Sequence, residues 1–139
     1  MIFYEDMVPG ERLTVPGERV EQSEMTLFAK EWDPMPFHVD GRSAPGIYML
    51  AFKQRLLHRL PKMAVLASFG YDEVRFHKPV GAGDLLSLVV EWVSRRESAS
   101  KPHAGVVTLR LSLLDERGAT VLSHLDTVLV QRRPTVNPT

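Results

Sequence analysis

The chain has 139 residues, 44% of them hydrophobic, with 17 basic and 17 acidic side chains and no cysteine. This length and apolar fraction fit one globular domain with one core, and exclude a disordered tract. Zero net charge argues against nucleic acid or a membrane surface as partner; the missing thiols exclude disulfides, thiolate nucleophiles, zinc fingers and iron–sulfur clusters.

In chain order, the start from Met1 to Asp6 is acidic and lacks the layout of a signal peptide. No apolar run approaches the roughly 18 residues of a membrane span, so a cytoplasmic protein is expected. Leu13 to Gln22, broken by Pro16-Gly17, predicts a short strand or hairpin. Ser23 with Glu24 behind it predicts a helix start, and Pro34 must end that helix. The segment Trp32-Asp33-Pro34-Met35-Pro36-Phe37-His38-Val39-Asp40 carries two prolines within three residues, which predicts a stiff, extended turn. A second helix is expected from Gly46 to Leu60; its first half, Ile47 to Phe52, is apolar all round, which predicts enclosure by a sheet. Four strands follow: Leu66–Val80, Leu85–Arg95, Gly105–Asp115 and Thr120–Arg132. Val107, Leu109, Leu111 and Leu113 alternate with Thr108, Arg110 and Ser112, the pattern of a sheet with one wet face. One helix followed by an antiparallel run gives an α+β layout, a single domain over residues 1–133 with 134–139 as a frayed tail.

The chemically loaded residues are Asp33 and His38. A carboxylate and an imidazole five residues apart on a stiff turn can face the same way and move protons at neutral pH. The same two residues also suit an ordinary turn, with Asp33 capping it and His38 half-buried. A hard-metal set of Asp33, His38 and Asp40 is conceivable, but no fourth ligand stands nearby. His58, His77, His103 and His124 show no partner spacing.

The wider pattern is Asp33-x-x-Pro36-x-His38-x-Asp40, then Ala44-Pro45-Gly46, then Val74-Arg75-Phe76-x-x-Pro79-Val80-x-x-Gly83-Asp84-x-Leu86. A Gly105 strand, an Arg117-Gly118 turn and a closing Arg132-Arg133 complete it. In this order the chain resembles the MaoC-like acyl dehydratases, the (R)-specific enoyl-CoA hydratases of the hot-dog fold. The resemblance implies a central helix wrapped by an antiparallel sheet. It implies that Asp33 and His38 add water across the double bond of a trans-2-enoyl thioester, or remove it from a 3-hydroxyacyl thioester. It implies a backbone N–H at Gly46 aimed at the thioester carbonyl, where developing charge meets the positive end of a helix; a glycine needed only for close packing is the alternative. The acyl carrier, coenzyme A or acyl carrier protein, is then part of the substrate, with no further cofactor and no metal, and the protein is at least a homodimer. Trp32, Pro36 and Tyr48 are candidates to line the acyl pocket, with core packing the competing role for Trp32 and Tyr48. Arg95, Arg96 and Lys101 flank a Ser-rich loop and are candidates for the coenzyme A phosphates, or form a solvated hairpin tip.

Three features depart from the family's pattern. Trp32 replaces the glycine before the Asp, Met35 replaces an Asn, and only five residues separate Asp40 from Gly46. The short connection predicts a wider pocket mouth, or a weakly catalytic subunit that binds an acyl group. A hot-dog thioesterase is disfavoured because helix Gly46–Leu60 carries no Asp or Glu. Dehydratases with a His-Phe-Pro-Gly turn are excluded by the order Pro36-Phe37-His38.

Overall fold

The computed structural model describes residues 1–135. After a short 3-10 turn at Tyr4–Asp6 come β1 (Arg12–Arg19), α1 (Gln22–Trp32), α2 (Pro36–Val39) and α3 (Gly46–Leu57). Then follow β2 (Val65–Phe76), β3 (Leu85–Glu97), β4 (Ala104–Leu114) and β5 (Thr120–Gln131). The strands make one five-stranded sheet in the order β1-β3-β4-β5-β2, every pairing antiparallel. The expected α+β, hot-dog architecture is therefore the one formed, with α3 against one face of the sheet.

That face is built by period-two alternation. Leu86, Leu88, Val90 and Trp92 of β3 and Val107, Leu109, Leu111 and Leu113 of β4 are buried and turn toward α3, which answers with Tyr48, Met49, Phe52 and Leu56. Each such side chain contributes about 1.5–3 kcal/mol when fully removed from water.

Several local expectations are corrected. Pro16-Gly17 does not turn a hairpin: β1 runs through it, and a bulge between Val15 and Glu18 absorbs the proline. A Cβ on Gly17 would stand 2.9 Å from Leu85 Cγ, so the strand approaches β3 there only with glycine. Helix α1 starts one residue before Ser23, with Glu21 as N-cap and no side-chain cap bond. The segment after Pro34 is not extended but closes into α2, with Pro36 in the first turn, where its missing N–H is harmless. Helix α3 stops at Leu57, and Arg59 and Leu60 continue as single turns bonded to Leu56 and Leu57. Its apolar first half is enclosed on one side only, for Ile47 remains 50% exposed. Of the expected tail, residues 136–139 lie outside the described residues.

The two sheet edges differ. β1 is short and bulged, whereas β2 is twelve residues long and exposed nearly throughout, Phe69 being 62% exposed. Three register shifts interrupt its pairing with β5, and Glu73 adopts φ 55 at one of them. Among the described residues no helix is long and apolar enough to cross a membrane.

Candidate active site

Asp33 is the residue on which α1 ends. Its N–H donates to Ala29 O at 2.9 Å, and Pro34 forbids a further turn. Met35 then caps α2, which carries His38 in its single turn. This chain reversal brings His38 Nε2 to 3.4 Å from Asp33 Oδ2. The histidine side chain is 12% exposed and the aspartate 37%, so the carboxylate opens to solvent while the imidazole is held from behind.

The hold is specific. His38 Nδ1 lies 2.5 Å from the Ser43 carbonyl oxygen. A carbonyl can only accept, so Nδ1 carries a proton and, in the neutral ring, Nε2 keeps a lone pair that faces the acceptor-only carboxylate of Asp33 without a direct hydrogen bond. Phe37 meets the imidazole edge-on, ring centres 4.4 Å apart. Ser43 is itself tied by its N–H to Phe37 O at 3.1 Å, and Ala44 N–H to Val80 O at 2.6 Å. The short connection is thus a strap fixing the histidine tautomer. No side-chain motif announces it, because the working atom is a backbone oxygen.

Three residues after Ser43, α3 begins at Gly46. Met49 N–H, bonded to Pro45 O, is the first of the helix to find a backbone acceptor. The N–H groups of Gly46, Ile47 and Tyr48 have no acceptor among the described residues. A Cβ on Gly46 would stand 2.5 Å from Phe76 Cζ, so the ring of Phe76 closes directly over the helix start. Glycine is required there for packing against that ring.

The other expected residues divide. Trp32 is 68% exposed and Pro36 is exposed too, with Met35 and Phe37 part of the same apolar rim around the pair. Tyr48 is core: its ring packs edge-on against Phe28, and its hydroxyl donates to Glu24 Oε1 at 2.7 Å, away from His38. Glu24 also accepts from Arg55 Nη2 at 2.7 Å. Asp40 pairs with Arg42 at 2.6 Å and is not gathered with Asp33 and His38 into a ligand set.

Arg95, Arg96 and Lys101 sit at the opposite end of β3 from the loop at Gly81 that packs on Arg42. At about 3.3 Å per residue, ten residues of strand separate them by roughly 30 Å from that end within one chain. Arg95 is committed elsewhere, donating to the Tyr4 and Glu5 carbonyls at 3.0 and 3.1 Å. A cleft of about 390 Å³ between Lys78, Asp84, Asp115 and Arg117 lies beside neither Asp33 nor His38.

The sequence pattern of the MaoC like domain matches residues 6–113. A mesaconyl-CoA hydratase of Cereibacter sphaeroides is 33% identical over 98 residues, 69% of this chain and 28% of that protein. One from Haloarcula marismortui is 40% identical over 65 residues, 46% of this chain and 18% of that protein. The chain thus spans less than a third of the curated relatives it matches. A crystal structure of a MaoC-like dehydratase from Rhodospirillum rubrum superposes with a TM-score of 0.89 at 30% identity, covering 97% of this chain and 100% of that one. The (R)-hydratase of A. caviae shares the fold, TM-score 0.69 at 22% identity, covering 91% and 97%. From residue 6 to 113 the match spans the Asp33–His38 turn, the start of α3 and the chain through nearly the end of β4, and the chain belongs to the MaoC-like dehydratase family.

Proposed function

We propose that the protein hydrates trans-2-enoyl thioesters and, in reverse, dehydrates 3-hydroxyacyl thioesters. The observation that carries this reading is the pair itself: a free Nε2 lone pair 3.4 Å from a carboxylate oxygen, its tautomer fixed by the Ser43 carbonyl. Both groups accept hydrogen bonds in this state. One water bound to both donates its two protons to them and turns its lone pairs toward C3 of the substrate. As the C3–O bond forms, the pair takes one water proton; electrons of the double bond move onto C2 and the thioester oxygen, and C2 then receives the proton back. The free N–H groups at the start of α3 oppose the charge on that oxygen, a contact whose loss typically costs about 3–4 kcal/mol. Mesaconyl-CoA, the substrate named for the curated relatives, is itself a 2-enoyl thioester with a carboxylate at the far end of its acyl group.

A second copy of the chain completes the molecule in this reading. The exposed edge of β2, with Phe69 and Tyr71 on it, supports antiparallel pairing with the same strand of a partner, which hides an edge that otherwise invites aggregation. Such pairing sets the Val65 end of one β2 beside the Phe76 end of the other. The partner's hairpin tip then lies toward the Gly46 end of this chain. Sedimentation at micromolar concentration tests the dimer, and a monomer overturns it. The activity is tested by loss of enoyl-thioester absorbance with crotonyl-CoA and longer or carboxylated homologues. No turnover on any of them returns the chain to a binding role.

A further inference from the structure

The chain buries a second polar cluster that the hydration chemistry leaves unused. Lys53 of α3 is 1% exposed, yet only two acceptors reach its ammonium: the Tyr71 hydroxyl at 2.9 Å and Gln54 Oε1 at 3.1 Å. The ammonium also stands 4.3 Å from the centre of the Tyr71 ring. His124 of β5, 2% exposed, stacks on the same ring at 4.2 Å. Its Nδ1 donates to the Leu125 carbonyl at 3.0 Å, and its buried Nε2 has no partner among the described residues. Asp126 accepts from Ser68 Oγ at 3.1 Å and acts on Lys53 through space, with no ion pair between them. An ammonium with a donor to spare and a stranded imidazole nitrogen around one tyrosine are unusual, since buried polar groups are normally paired.

The cluster's place matters as much as its chemistry. Lys53 follows Gly46 by seven residues, two helical turns on the same face. β2 borders both, with Phe76 over Gly46 and Tyr71 on Lys53. Two turns rise about 10 Å, and helical side chains lean back toward the N-terminus. The distance along the helix from the α3 N–H groups back to the leaning ammonium is of the order spanned by a short acyl chain. Tyr71 is the member that reaches the surface of the single chain, at 41% exposed, on the bulged strand β2.

Resting on the hydratase reading above, we propose that Lys53, with the Tyr71 hydroxyl beside it, receives a carboxylate at the far end of the acyl group. The enzyme then selects carboxyl-bearing 2-enoyl thioesters over those that end in an alkyl group. The carboxylate accepts from the open ammonium donor, and its charge offsets a buried cation that Asp126 does not directly pair. Burial lowers the pKa of the free ammonium to about 8, against the opposing pull of the Asp126 charge, which raises it.

The test compares kcat/KM for trans-butenedioyl-CoA and crotonyl-CoA, which differ only in a terminal carboxylate against a methyl. The parent is expected to favour the carboxylated substrate by at least about tenfold, and Lys53→Met to lower that ratio by about 10–100-fold, the worth of a hydrogen bond to a charged group. An unchanged ratio, including one where both substrates slow together, overturns the proposal. A second arm needs no variant: in the parent the ratio falls as pH rises through about 8, where Lys53, faced by Tyr71, Gln54, His124 and Asp126, gives up its proton. A ratio flat to pH 9 also overturns it. A parent that hydrates crotonyl-CoA and rejects the carboxylated analogue sinks this inference alone; a parent inactive on both sinks the hydratase reading as well.

Discussion

The Asp33–His38 pair and the Lys53 cluster hold similar kinds of group in opposite surroundings. The first lies on one short reversal of chain, with Asp33 open to water and one backbone tether behind His38. The second draws on α3, β2 and β5 and is shut away from water except at Tyr71. Water solvates an open carboxylate at little expense, whereas a buried ammonium is desolvated and only partly repaid by its neighbours. The pair can therefore be altered with small effect on folding, while any change in the cluster moves stability and selectivity together.

Removing the pair breaks the comparison most sharply. Asp33→Asn and His38→Gln are each expected to slow hydration by about 10²–10⁴, the usual worth of an acid–base group. The double variant is expected to lose little more than the worse single one, since both act on one water. Melting temperature is expected to stay near the parent's. A merely structural pair gives the reverse: lower melting temperature with turnover per folded molecule retained. Turnover and thermal melts on the same samples decide it.

Gly46→Ala comes next. The added methyl would collide with Phe76 at 2.5 Å, an overpacking expected to cost about 1–3 kcal/mol and to displace the helix start. In a Phe76→Ala background the same change is expected to be nearly neutral, because alanine keeps its N–H and the ring is gone. A double-mutant cycle in urea, with turnover measured alongside, shows this coupling. A loss of turnover of the same size in both backgrounds means that the methyl blocks the carbonyl site itself.

These two centres were not equally legible in the sequence. Asp33, His38 and Gly46 stand within fourteen residues, so their nearness is almost covalent. Lys53, Tyr71 and His124 meet only because the order β4-β5-β2 lays β2 beside β5 under α3. Part of the signal was present. Lys53 falls in helical phase with Met49 and Leu56, and His124 and Asp126 alternate in phase with Leu122 and Val128, all on the buried side. Polar residues in a buried phase mark a site even before their partners are known. The helix at Pro36 was hidden for another reason, since a proline that stiffens an extended segment equally well opens a helix. Half-covered α3 and bare β2 fit the proposed second copy, whose contacts one chain's pattern reads as enclosure.

Lys53→Met keeps the side chain's volume and removes its charge, and is expected to stabilise the protein at pH 7 by about 1–3 kcal/mol. The sign with pH follows from the pKa of about 8 when folded, against 10.5 otherwise. Between those values the unfolded chain binds more protons, so the parent gains stability as pH rises and the variant's advantage narrows. Urea midpoints at pH 7 and pH 10 measure both. A variant less stable than the parent at pH 7 makes Lys53 a structural tie.

The smallest effect belongs to the hairpin tip. Arg96 and Lys101 lie roughly 30 Å from the Gly81 end of their own chain, while Arg95 holds the N-terminal turn through the Tyr4 and Glu5 carbonyls. Arg95→Met is accordingly expected to lower melting temperature without changing KM. If β2 pairs with β2 across a twofold axis, the partner's tip approaches the site, and its exposed cations meet the nucleotide phosphates in water. Such contacts are worth about 0.2–1 kcal/mol, so Arg96→Ala with Lys101→Ala is expected to raise KM for coenzyme A thioesters about two- to fivefold. Thioesters of pantetheine, which lack the nucleotide, are expected to show no change. The effect is also expected to fade in high salt, as exposed charge contacts do. Equal KM for both carriers in the double variant leaves the tip as a solvated turn, and a matching rise for both assigns it to the fold.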